Sequence, residues 1–168
     1  MDRGIELFEH ELKDIYDAES KLSRELEGMA KKASDEELVE GYLEHKQQTD
    51  RQIKRLEDVF GILDKKPSRE TCHGINGLLK EFKSFVADEK PAPELLDVFA
   101  AGASLKVEHY EIAAYKSLIQ LAQQAGLSDA VSLLKQNLSE EQETAAKLEI
   151  LAEKLGTRVL ATPITLTN

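Results

Sequence analysis

Tryptophan is absent from the 168 residues, cysteine occurs once, and aromatic residues make up only 5% of the chain. So thin an aromatic complement suits a helical bundle far better than a β-sandwich. The single cysteine, Cys72, excludes an internal disulfide framework and fits a reducing cytoplasm. Two adjacent ligands do not make a metal site, so Cys72-His73 reads as a loop or a half-buried thiol. Basic residues are in deficit: 22 Lys and Arg stand against 32 Asp and Glu, a net charge of −10 with no basic cluster. Nucleic acid held through phosphate contacts is therefore not an expected partner. Long apolar runs are missing as well. No segment is expected to span a membrane, the N-terminus has no signal-peptide core, and the expected location is the cytoplasm.

The few glycines and prolines cut the rest into long helical stretches. Asp2 to Ala33 carries Ile5, Phe8, Leu12, Ile15, Leu22, Leu26 and Met29 at three- and four-residue steps, the seam of a bundle helix. Ser34 or Asp35 offers an N-cap to a second helix over 35–63, with Glu37 in capping-box position. Residues 64–92 are punctuated by Gly and Pro around one short amphipathic segment, about Ile75 to Ala87. They read as a long connection, as needed when the helices on either side run in the same direction. A third long helix runs from Pro93 to Ala125 and is closed by Gly126. The fourth follows at once from Ser128 to Leu155, with the seam Val131, Leu134, Leu138, Glu141, Ala145, Leu148, Ala152 and Leu155. Gly156 is expected to end it. The domain is then 1–156, and 157–168 is expected to be an extended or disordered tail.

Each long helix has polar residues on its apolar seam near its midpoint. They are Glu19 on the first; His45, Thr49 and Gln52 on the second; Glu108 and Glu111 on the third; Glu141 and Thr144 on the fourth. Helices of matched length packed side by side bring these midpoints into one layer. Four carboxylates and an imidazole in a bundle interior require protons or cations to compensate them. Carboxylate-plus-imidazole sets suit iron, manganese or zinc, and bridging carboxylates suit two metals about 3.5–4 Å apart. The expected site is therefore a dinuclear carboxylate centre. The competing reading is a hydrogen-bonded Glu/Gln network that sets helix register without a metal. Polar positions on all four seams together favour the metal. His109 lies between two site residues, but adjacent helical side chains are about 100° apart, so it points away.

Glu11-Leu12-Lys13-Asp14-Ile15-Tyr16-Asp17-Ala18-Glu19, His45-x-x-x-Thr49-x-x-Gln52, Lys106-Val107-Glu108-His109-Tyr110-Glu111-Ile112-Ala113 and Glu140-Glu141-x-x-Thr144 resemble the YciF/YciE-type ferritin-like proteins associated with bacterial stress responses. The resemblance covers about residues 3–155. It implies an all-α, ferritin-like four-helix bundle with a long crossover, and a homodimer. The wider superfamily holds two irons or manganese ions. On that pattern Glu19, His45, Glu108, Glu111 and Glu141 are metal ligands. Gln48, Gln52, Thr144, Tyr110 and Tyr115 surround them as orienting donors. The usual Glu-x-x-His of the second and fourth helices is here His45-x-x-Gln48 and Glu141-x-x-Thr144, so one metal position is poorer in ligands and the centre is di-metal or mononuclear. A small-molecule oxidant is the implied reactant. Iron storage or DNA protection is disfavoured: storage needs a hollow multimeric shell, and DNA binding a basic arm that Met1-Asp2-Arg3-Gly4 does not supply. A non-catalytic interaction bundle remains the alternative.

Overall fold

In the computed structural model, which describes residues 3–161, the chain forms five helices: α1 (Gly4–Ala30), α2 (Glu36–Ile62), α3 (His73–Glu89), α4 (Pro93–Gln124) and α5 (Ser128–Leu160). The four long ones make the bundle. α1 packs most closely on α2, and α4 on α5; α2 against α5 and α1 against α4 close the ring. The crossover carries α3 to the outer side of α1 and α4. It delivers the chain to the same end of the bundle at which α2 began, so α2 and α4 run in parallel. This is the all-α bundle with a helix-bearing crossover that the seams and the Gly/Pro-rich connection predict.

Asp97 ties that end together. Its buried carboxylate accepts from the backbone N–H of Ser34 (2.9 Å), the Ser34 hydroxyl (2.5 Å) and the backbone N–H of Asp35 (2.9 Å). Asp35 is in turn the N-cap of α2, accepting from the N–H groups of Glu37 and Leu38. One aspartate thus fixes the start of α4 against the turn into α2. Replacing it with alanine leaves buried donors unpaired at about 1–3 kcal/mol each. Asp97→Ala is therefore expected to lower the melting temperature by roughly 10 °C, read by circular dichroism; a change within about 2 °C would refute this role.

The C-terminal boundary differs from the sequence expectation. α5 continues through Gly156 to Leu160, so 157–160 are helical. A glycine inside a helix costs only about 1 kcal/mol relative to alanine. Buried Leu155 and the Arg158–Asp35 ion pair at 2.7 Å hold this last turn against α2. Gly126 does break its helix, with φ +73°. The expectation of an extended tail otherwise falls on residues 162–168, which lie outside the described residues. The α5 seam is also rotated: Ala130, Asn137 and Leu151 are buried, whereas Val131, Leu138, Leu148 and Ala152 are only partly so. Among the described residues no helix is long and apolar enough to cross a membrane.

Candidate metal centre

The polar seam positions meet in the bundle interior. Glu19, Thr49, Gln52, Glu108, Glu111 and Glu141 are wholly buried and His45 is 5% exposed. Each arrives there by helical arithmetic: Glu19 lies between Ile15 and Leu22 on α1, and Glu108 and Glu111 lie between Ser104 and Tyr115 on α4. The surrounding core side chains anchor the helix faces and carry the acids in with them. His45, Glu108, Glu111 and Glu141 converge furthest, each placing one ligand atom within 4.8 Å of the others. His45 Nδ1 is 3.4 Å from Glu108 Oε1, and its Nε2 is 3.9 Å from Glu141 Oε2.

Glu19 is not one of these four. Its Oε1 accepts the Tyr115 hydroxyl, while Oε2 has no hydrogen-bond partner among the described residues. Its charge is nevertheless felt by Glu111 and Tyr115, so it borders the group. Gln52 donates its amide to Glu141 Oε1 at 2.6 Å. Thr144 and Gln48 stand at the edge, 3.5 Å apart, with the threonine hydroxyl also bonded to the Glu140 carbonyl.

Tyr110, expected beside Tyr115 as an orienting donor, faces elsewhere. The rotation of a helix between adjacent residues turns it away from Glu111 and toward α3. There its hydroxyl meets Cys72 Sγ at 3.0 Å and Asp14 Oδ2 at 3.3 Å. Gly74 makes this possible, because a Cβ at that position would overlap the Tyr110 ring. Cys72 does lie in the loop before α3, as its N-cap, but its side chain is fully buried, and its N–H donates to Asp17. His109 points outward and lies 3.7 Å from Glu149.

Sequence reasoning missed Asn137 and Arg55 and gave Glu140, though part of a quoted motif, no role. Asn137 is wholly buried, donates to the Tyr115 hydroxyl at 2.9 Å and accepts from Arg55 at 2.9 Å. Arg55 also grips Glu140 with two bonds of 2.7 and 2.8 Å. A chain therefore runs from the surface salt bridge through Asn137 and Tyr115 to Glu19, fixing that carboxylate's orientation. The signal was present: Asn137 lies four residues before Glu141, on the same helix face.

Electrostatically the cluster is incomplete. Burial, followed by neighbouring carboxylates, raises the pKa of Glu19, Glu108 and Glu111 well above the usual range. Burial raises Glu141 to about 7 and lowers His45 to about 4, so the imidazole is neutral at pH 7 and ready to act as a ligand. Both oxygens of Glu111, one of Glu19 and His45 Nε2 are buried without a hydrogen-bond partner among the described residues. The Glu108 and Glu141 carboxyls lie within hydrogen-bonding reach of each other, a contact that needs a shared proton or cation. A register-setting network would satisfy these atoms. Donors sharing one ion at about 2.1 Å lie at most about 4.2 Å apart. The set therefore closes on a cation with side-chain movements of about 0.5 Å.

The comparisons with known proteins agree with this arrangement of helices. The chain is 38% identical over 148 residues to Protein YciF of Escherichia coli (strain K12), covering 88% of this chain and 89% of that protein. The crystal structure of the E. coli stress protein YciF superposes with a TM-score of 0.88 at 36% identity, over 94% of this chain and 99% of that one. YcfI of Rhodopseudomonas palustris superposes with a TM-score of 0.86 at 37% identity, covering 88% and 94% of the two chains. Residues 4–161 match the family described as "Domain of unknown function (DUF892)". The chain belongs to this YciF-type DUF892 family.

Proposed function

We propose that this protein binds one or two transition-metal ions, iron or manganese, at the centre of its bundle and serves in bacterial stress defence with peroxide-related redox chemistry. One observation carries the reading: oxygen and nitrogen donors from three helices are buried together with no hydrogen-bond partner beyond one another among the described residues. Leaving such groups unpaired costs about 1–3 kcal/mol each, more for charged groups, and a cation removes the cost. Glu108, Glu111, Glu141 and neutral His45 would hold the first ion. Glu19 would extend the set toward a second, sharing acids with the first. When bound, iron or manganese supplies one-electron redox chemistry toward a small oxidant. The chain supplies the dry, fixed carboxylate cage: Gln52 orients Glu141, and Asn137 with Tyr115 orients Glu19. The stress role follows the relative's description. A homodimer is part of the same proposal and is read by analytical ultracentrifugation.

Elemental analysis of protein purified without chelators tests the reading, followed by titration with iron(II) and manganese(II). At least about half an equivalent of metal is expected. Less than about a tenth of an equivalent, with no uptake of added ions, would sink it.

A second reading has its own support. Thr144 occupies the position of the fourth helix's histidine, and a structural role is suggested for the Rhodopseudomonas relative. In that case the acids are simply protonated in the core and the bundle acts through its surface. It requires that added metal leave the melting temperature unchanged.

A further inference from the structure

Two of the cavities among the described residues reach donors of the cluster, and they differ in size and lining. One lies among α1, α3 and α4, reaches His45 and Glu108, and has a volume of about 10 Å³ between Leu22, Leu26, Met29 and Phe82. A water molecule needs about 10–15 Å³ of such space, so this cleft holds one water at most, between hydrocarbon walls. The other is a groove between α2 and α5, floored by α4, with a volume of about 280 Å³. His45 and Ser104 lie at its inner end, with Gln48 and Thr144 beside them.

We infer that the α2–α5 groove is the route by which a divalent cation reaches the buried acids. The inference rests on the metal reading and adds to it a path and the residues that form it. A hydrated divalent ion is wider than one water, so the 10 Å³ cleft cannot pass it, whereas the 280 Å³ groove has room for it as far as His45, the member of the four-residue cluster that lines it. Acids outnumber cations at the mouth: Glu37, Glu40 and Glu44 stand against Lys147, which pairs with Glu44, and Lys154, which pairs with Glu37. An acid-rimmed cleft with low-dielectric walls concentrates cations at its opening. Inside, Gln48, Thr144 and Ser104 offer oxygens that replace water one at a time before the ion meets His45 Nε2, which has no hydrogen-bond partner among the described residues and lies 3.9 Å from Glu141 Oε2. Gly41 lines this groove, and a Cβ built there meets no atom within 4 Å, so a large side chain at this position fits beside the opening without displacing a neighbour.

The test is stopped-flow mixing of metal-free protein with cobalt(II), following the visible absorption of the bound ion. Gly41→Phe is expected to slow loading at least about tenfold, with the final stoichiometry and melting temperature kept. Gly77→Phe, in open space on α3, serves as the control and is expected to load at the wild-type rate. Glu40→Lys with Glu44→Lys is expected to slow loading at low salt, with the deficit shrinking as salt rises. Wild-type loading by Gly41→Phe overturns the route, and so does equal slowing by Gly77→Phe. If the wild type itself takes up no cobalt at equilibrium, the metal reading fails and the route falls with it.

Discussion

Glu108→Gln raises the melting temperature of the metal-free protein and abolishes its retention of iron or manganese. Both changes follow from the same property of the residue. Glu108 is wholly buried, its carboxyl is in hydrogen-bonding reach of another acid, Glu141, and it faces Glu111 and a neutral His45. Removing one acid from a cluster of like charges relieves desolvation and repulsion, about 1–3 kcal/mol. In a chain of this size that is roughly 5 °C. The new amide N–H has a carboxylate to donate to, which the native acid lacks when ionised. The same change deletes a ligand, and even residues that only support a ligand cost about 10–100-fold in affinity when altered. At least about a hundredfold loss is therefore expected for Glu108 itself. Calorimetry on chelator-treated protein and metal titration read the two effects separately. A lower melting temperature with unchanged metal content would show that Glu108 is a structural hydrogen-bonding residue.

Acidifying the metal-free protein from pH 8 to 6.5 stabilises it, and loading with metal reverses that trend. The folded chain raises Glu141 from 4.5 to about 7, through burial first, and raises Glu19, Glu108 and Glu111 as well. A carboxyl whose pKa is raised by folding holds its proton in the folded state when the unfolded chain has released it. Its contribution to stability therefore falls as pH rises from about 4.5 through the folded value. For Glu141 the full loss is about 3 kcal/mol, at 1.36 kcal/mol per unit. His45 has the opposite sign. Burial lowers it from 6.5 to about 4, so its contribution is complete above 6.5 and is lost only as pH falls toward 4. Between pH 8 and 6.5 the carboxyls are thus the cluster groups that change. The metal-free protein is expected to melt roughly 5 °C higher at pH 6.5 than at pH 8. A bound cation replaces those protons, so affinity rises with pH and the loaded protein melts higher at pH 8. Identical metal-free melting curves at both pH values would mean that the carboxyls are already ionised in the fold.

Much of the site was legible because α-helical side chains repeat on a fixed angle. Glu19 between Ile15 and Leu22, and Glu108 and Glu111 between Ser104 and Tyr115, have no way out of the core while those neighbours are in it. His45, Thr49 and Gln52 follow on α2 for the same reason. The rotated face of α5 was less legible, since Leu138 and Asn137 compete for adjacent angles. The leucine is the obvious core residue by type, yet the asparagine is the one wholly buried. Its two side-chain partners, Arg55 and Tyr115, lie on other helices, and no pattern within α5 announces them. Tyr110 was misplaced because sequence adjacency to Glu111 says nothing about α3, whose Gly74 leaves space for the ring.

By itself the chain determined that there would be four long amphipathic helices, where the crossover would lie, and that each seam would carry polar groups at mid-height. Periodicity and the placement of Gly and Pro are local properties, set within a few turns. Packing alone decided which acids meet. Convergence of His45, Glu108, Glu111 and Glu141 within 4.8 Å, with Glu19 drawn aside by Tyr115, depends on the axial offset and rotation of helices far apart in sequence. Side-chain interdigitation sets those two quantities. The groove beside Gly41 has the same origin, as space left between α2 and α5 where the helices meet without filling it.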